Sequence, residues 1–200
     1  MILCLLLLAA GVSPVVPLGP SILVNGFVGV DEWRGALGLP LDPEVELKAR
    51  EDSRYLYLAV VFKGARHTGL DLYLTTRDGR AMLHVSSALG ERAMEDNHPS
   101  KAGPIEDTHP AAIKDTHALT HALELVWGRN CWWTANPVCV TWEDGKQAVV
   151  APEAFEFQLD RARLGREVAL LIHLKRPDKT LPAGASPDVP DHWLRLKLEK

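Results

Sequence analysis

Apolar residues recur at every second position along most of this chain. Val45, Leu47 and Ala49 alternate with Glu46, Lys48 and Arg50. Leu70, Leu72 and Leu74 alternate with Asp71 and Tyr73, and Phe155, Phe157 and Leu159 with Glu156, Gln158 and Asp160. Leu194, Leu196 and Leu198 alternate with Arg195, Lys197 and Glu199. A period of two puts one set of side chains on each side of a pleated strand, so each run reads as a half-buried β-strand. Two further runs, Tyr55 to Phe62 (YLYLAVVF) and Val168 to Leu174 (VALLIHL), are apolar almost throughout. They read as central strands covered on both faces. Asp78-Gly79 and Asp144-Gly145 supply tight-turn dipeptides. Little in the chain has a helical period. About nine or ten short strands with tight turns predict an all-β fold, a single antiparallel β-sandwich.

The remaining segments are expected as connections. Ser21 to Val30 reads as a short apolar strand with an Asn25-Gly26 turn. Glu91 to Ala118, rich in Pro, Asp, Asn and His, loses every period and is expected as one long irregular loop. Pro177 to Pro190 is a proline-rich loop, and Leu194 to Leu198 a last edge strand. With 46% hydrophobic residues, the 200-residue chain can build a real core. A formal charge of -4, with no long basic cluster, argues against nucleic acid or anionic lipid as a partner.

The first thirty residues carry no charge. Met1 to Gly11 is an apolar run closed by small residues, shorter than the roughly 20 residues a membrane-spanning helix needs. Residues 1–18 are therefore expected to be a signal peptide and short linker, residues 19–200 the domain, and the mature chain free of a transmembrane span. The alternative is an N-terminal core element. Export leaves two cysteines, Cys131 and Cys139. As a disulfide they would close a short loop and stabilise the fold by about 2–3 kcal/mol; otherwise they are two thiols.

That pair brackets the most distinctive stretch, Val126 to Trp142 (VWGRNCWWTANPVCVTW), with four of the six tryptophans. It reads as strand, loop, strand, the flanking runs forming a hairpin. Trp132 and Trp133 are neighbours, so in a strand at most one enters the core, whereas in a loop both can be exposed. An exposed indole stacks on the apolar face of a sugar ring, while Arg129, Asn130, Thr134 and Asn136 bring hydrogen-bonding groups to the same loop. The alternative places Trp127, Trp133 and Trp142 in the core, with Trp132 capping an edge.

Three pieces, taken in order, resemble family-nine-like carbohydrate-binding modules. They are Val24-Asn25-Gly26 with Asp31-Glu32-Trp33 and Ala36; then Asp52 to Val60 (DSRYLYLAV); then Phe155 to Gly165 (FEFQLDRARLG). The resemblance implies an exported jelly-roll-like β-sandwich of the wider DOMON-like group, whose members bind sugars, haem or no known ligand. Asp160 stands where the late strand of the family usually has proline. The middle of the chain matches no pattern of the family, so the resemblance implies a fold and not a set of binding residues.

Other chemistry is thinner. His117 and His121 would share a helix face at i, i+4, with His109 and His98 nearby, but neither a glutamate between them nor a cysteine completes a metal motif. Met82, Met94 and His84 are available for haem, yet Met82 and His84 lie on one face of a strand and cannot bracket an iron. No nucleophile elbow, phosphate loop or metalloprotease motif is present. Asp31, ahead of Trp33, can anchor its loop or hold a cation. The sequence thus leads to an exported, non-catalytic domain binding a glycan or other small polar ligand through Trp132, Trp133, Arg129, Asn130 and Asn136, with His84 as an outlying contributor. The competing reading is an accessory envelope domain with no small ligand, and a haem or metal domain is a third.

Overall fold

A computed structural model of the chain describes residues 13–24, 28–86, 89–95, 98–99, 124–127, 132–136, 139–143 and 146–199, with backbone pairing alone along 124–150. In chain order its strands are β1 (Val15–Val16), β2 (Leu37–Pro40), β3 (Val45–Glu51), β4 (Tyr55–Phe62), β5 (Gly69–Thr76), β6 (Gly79–Val85), β7 (Leu89–Glu95) and β8 (His98–Pro99). They continue with β9 (Glu124–Trp127), β10 (Trp132–Asn136), β11 (Cys139–Glu143), β12 (Lys146–Val150), β13 (Ala154–Asp160), β14 (Glu167–Lys175), β15 (Lys179–Leu181) and β16 (Leu194–Leu198). One sheet has the order β1-β16-β14-β5-β6-β7-β8, with β15 also paired to β14; the other has the order β2-β3-β4-β13-β10-β9. β11 and β12 pair with each other. Among the described strands every pairing is antiparallel except β1 with β16, and an isolated parallel bridge joins Leu18 to Glu51.

The alternating residues explain how the sheets pack. Leu56, Leu58, Val60, Phe155, Phe157 and Leu159 cover the inner face of the second sheet. Leu70, Leu72, Leu74, Val168, Leu170 and Ile172 cover that of the first, and all twelve join one buried cluster. Each side chain of this size is worth about 1.5–3 kcal/mol when fully buried. The outer faces are roofed in their central parts. Ile22, Val24 and Trp33 lie over Tyr57 and Ala59 of the second sheet. Ala185 and Trp193 lie over Tyr73, Met82 and Leu171 of the first. β4 and β14 are therefore covered on both sides, as their nearly unbroken apolar runs require.

Several expectations change. The strands number sixteen among the described residues, not nine or ten. Residues 21–24 form no strand; they are part of the roof over β4. β7 and β8 occupy residues expected as loop. The period fails there because Glu91 stands opposite Leu83, in the inner-face register, where it pairs with Arg163 at 3.5 Å. Leu194 to Leu198 is not an edge, since β1 pairs beyond it through Val15–Lys197 and Val16–Leu198. Val15 and Val16, which lie within the 1–18 segment expected as signal peptide and short linker, make that pairing. The flanks of the tryptophan-rich stretch do not pair as one hairpin either: β9 pairs with β10, and β11 with β12. The expected signal segment up to residue 12, and His109, His117 and His121, lie outside the described residues.

Phe157 is fully buried at the centre of the core. Phe157→Ala is expected to cost about 3–5 kcal/mol in urea unfolding. Val30→Ala, at a position 85% exposed, should change stability by no more than about 0.5 kcal/mol.

Candidate functional site

β10 is a strand, so Trp132 and Trp133 take opposite faces of the second sheet. Trp132 pairs with Leu159 and Thr134 with Phe157, both inner-face residues. Trp132, Thr134 and Asn136 therefore share the inner-face register. Trp133 pairs with Gln158 on one side and Trp127 on the other, in the outer-face register. This phase is the reverse of the alternative that put Trp133 and Trp127 in the core. Cross-strand partners extend the outer row to Tyr57 and Arg50. One transverse line thus runs Arg50, Tyr57, Gln158, Trp133, Trp127 across five strands. Arg50 and Tyr57 lie under the roof, and Gln158 is half-buried. Arg129, Asn130 and Cys131 lie outside the described residues, and with them the expected disulfide to Cys139, which stands in β11 opposite Val150.

The roof beside this row is pinned by hydrogen bonds to one buried and one half-buried acid. Trp33 donates its indole N–H to Glu156 Oε1 at 3.0 Å. Asp52 accepts from the Ser21 hydroxyl at 2.8 Å and from the Tyr57 hydroxyl at 2.7 Å, while its other oxygen takes the N–H groups of Arg54 and Tyr55. Burial and the Asp52 carboxylate push the Tyr57 phenol up to about 12. Asp31, the candidate anchor or cation ligand, makes an exposed ion pair with Arg34 at 2.5 Å.

His84 is on the other sheet, separated from β10 by the core. Its strand register sets it opposite Asp71, which in turn faces His173 of β14. The Nδ1 of His84 is 2.6 Å from Asp71 Oδ1, and its Nε2 is 2.9 Å from the Ser86 hydroxyl. Lys175 Nζ lies 2.7 Å from the other Asp71 oxygen and 3.2 Å from His173 Nδ1. His173 Nε2 meets the exposed Asp178 at 2.5 Å. Both ring nitrogens of His84 are thus engaged, leaving neither for a haem iron, and Met82 is packed in the cluster with Tyr73 and Trp193. Among the described residues no group of three His, Cys, Asp or Glu is arranged to hold a metal ion. Asp71, Ser86, His173 and Lys175 are dispersed in the sequence, where no motif joins them. The usable signal was position: Asp71 and His173 are polar residues inside apolar strands, in the outer-face phase.

The architecture matches a known class. The structure of a family 9 carbohydrate-binding module from Caldicellulosiruptor kristjanssonii in complex with cellotriose aligns with this chain at a TM-score of 0.50. The alignment covers 94% of each chain at 11% sequence identity. No family model matches the sequence, and no curated protein matches it. The chain therefore has the fold of a family-nine-like carbohydrate-binding module, a two-sheet β-sandwich.

Burial alone would raise the Asp71 carboxyl, but the hydrogen bond from His84 and the Lys175 ammonium hold it below the usual carboxylate range. A carboxyl lowered on folding contributes stability that is complete above its unfolded value, about 3.9, and that drains away as pH falls through the folded value. Urea midpoints measured from pH 5 downward should fall more steeply for the native chain than for Asp71→Asn.

Proposed function

We propose that this chain is an exported domain that binds a carbohydrate-like or other small polar ligand on the outer face of the second sheet, beside β10 and β9. The observation that carries the reading is the outer-face row in which Trp133 stands opposite Trp127, next to the half-buried Gln158. Two tryptophans in cross-strand register, with a glutamine in register on the next strand, are the residue types a sugar ring needs: an apolar plate and polar groups at its rim. The fold likeness to a module solved with cellotriose supports the same reading. The β10 register favours Trp133 over Trp132 as the stacking residue. Arg129 and Asn130, in the connection between β9 and β10, are assigned to orient the ligand's hydroxyls. Asn136 shares the register of Trp132, so its part is at the strand end and not on the plate.

Export is supported by the charge-free apolar opening, Met1 to Gly11, ahead of β1. In an oxidising compartment Cys131 and Cys139 are a candidate disulfide. Among the described residues no helix is long and apolar enough to cross a membrane. One observation favours the competing reading of a scaffold without a ligand: the roofs formed by Trp33 and Trp193 already cover the central outer faces.

Retention on immobilised cello-oligosaccharides decides between the two. Trp133→Ala should weaken binding by about thirtyfold or more, the roughly 2 kcal/mol of a hot-spot tryptophan, with the melting temperature little changed. Trp132→Ala, in the inner register, should act on stability instead. Unchanged retention by a folded Trp133→Ala variant would remove this face as the site.

A further inference from the structure

We propose that Ser86, His84 and Asp71 form an acyl-transfer site on the outer face of the first sheet, one that hydrolyses small carboxylic esters. It lies on the opposite sheet from the binding face above and does not depend on it. It also departs from the expectation that the chain has no catalysis.

The argument starts from the strands. Ser86 is the first residue past β6 and follows His84 by two, which brings its hydroxyl to the outer face beside that imidazole. Asp71 is the register partner of His84 on β5. Pairing therefore delivers a carboxylate, an imidazole and a hydroxyl in line, with contacts of 2.6 Å and 2.9 Å. Those are the two hydrogen bonds that a nucleophile, a base and an orienting acid must make.

Protonation follows from the partners. Asp71 is an ionised carboxylate and only accepts, so the neutral imidazole carries its proton on Nδ1 and donates it to Asp71. Its Nε2 is then a bare acceptor, toward which the Ser86 hydroxyl donates. This is the tautomer that lets His84 act as a general base. Exposure grades in the useful direction: the Asp71 side chain is 9% exposed, that of His84 is 20% exposed, and Ser86 is half-buried. Asp71 is a positioning residue, held at its second oxygen by Lys175.

Gly69 sharpens the arrangement. A Cβ there would stand 3.2 Å from Ser86 Cβ, 3.4 Å from Lys175 Cγ and 3.1 Å from the Val85 carbonyl. A bare glycine lets Ser86 and Lys175 approach from either side of β5. The Lys175 ammonium stays on the second Asp71 oxygen, so Lys175 acts through Asp71 as a further positioning residue.

In the reaction, Ser86 Oγ attacks the ester carbonyl carbon while its proton passes to His84 Nε2. The tetrahedral oxyanion collapses, and the alcohol leaves with that proton, giving an acyl-serine. Water, giving a proton to His84, attacks the acyl carbon. The acid is released and Ser86 regains its proton. The sum is ester plus water to acid plus alcohol, with no change of oxidation state.

The test is labelling of the full chain with a fluorophosphonate, together with hydrolysis of p-nitrophenyl acetate. The native chain should give one adduct per molecule, on the peptide carrying Ser86. Ser86→Ala should lose both the adduct and the hydrolysis while melting like the native chain. His84→Gln should slow acylation by about a hundredfold or more. Sugar retention by Ser86→Ala should be unchanged, which separates this result from the outcome for the binding face. A folded native chain without an adduct at Ser86, or Ser86→Ala hydrolysing at the native rate, would overturn the proposal and leave the cluster a structural network.

Discussion

The register of two antiparallel strand pairs, β4 with β13 and β5 with β14, determines the rest of this structure. Each pair presents leucines and phenylalanines inward at every second position. A slip of one residue would turn Glu156 or Asp71 into the core and expose the apolar set, so the buried face leaves each pair one usable register. Once that register is fixed, every outer-face residue is fixed as well. Trp133 comes to stand beside Gln158, and His84 beside Asp71, because their strands are paired to these four.

The outer faces follow a common plan. Each carries a covering segment with one buried tryptophan, and each indole donates a hydrogen bond: Trp33 to Glu156, and Trp193 to the Ser186 carbonyl at 2.8 Å. Covering the middle of a sheet this way removes apolar area from water and leaves polar residues toward the margins. On the second sheet the margin is β10 and β9; on the first it is the end of β5 and β6. The two candidate sites lie at these margins, on opposite sides of one core.

The fold was readable where a strand has one wet face or none. Val45 to Arg50, Phe155 to Asp160, Tyr55 to Phe62 and Val168 to Leu174 all emerged as strands. Reading failed where tertiary partners replaced the pattern. Glu91 sits in an inner-face register because Arg163 meets it, and no local rule announces a contact made 72 residues away. Val15 and Val16 pair with the C-terminal strand, a partner about 180 residues away that no local pattern announces. Ile22 and Val24 are apolar because they roof β4, and roof and strand residues have the same composition. The tryptophan-rich stretch is distinctive in the sequence, but its polar middle reads as a loop. The strand there separates Trp132 from Trp133 and gives the latter Trp127 as a partner. Of the polar cluster around Asp71, His84 alone stands out in the sequence, since the cluster is drawn from strands far apart in it.

The most direct measurement of the central claim is a map of backbone amide shifts as cellotriose is added to the labelled chain. The account predicts saturable shifts in β10, β9 and the adjoining part of β13 near Gln158, with the amides of β5 and β6 on the other sheet unmoved. Shifts confined to the first sheet, or none at millimolar sugar, would contradict it.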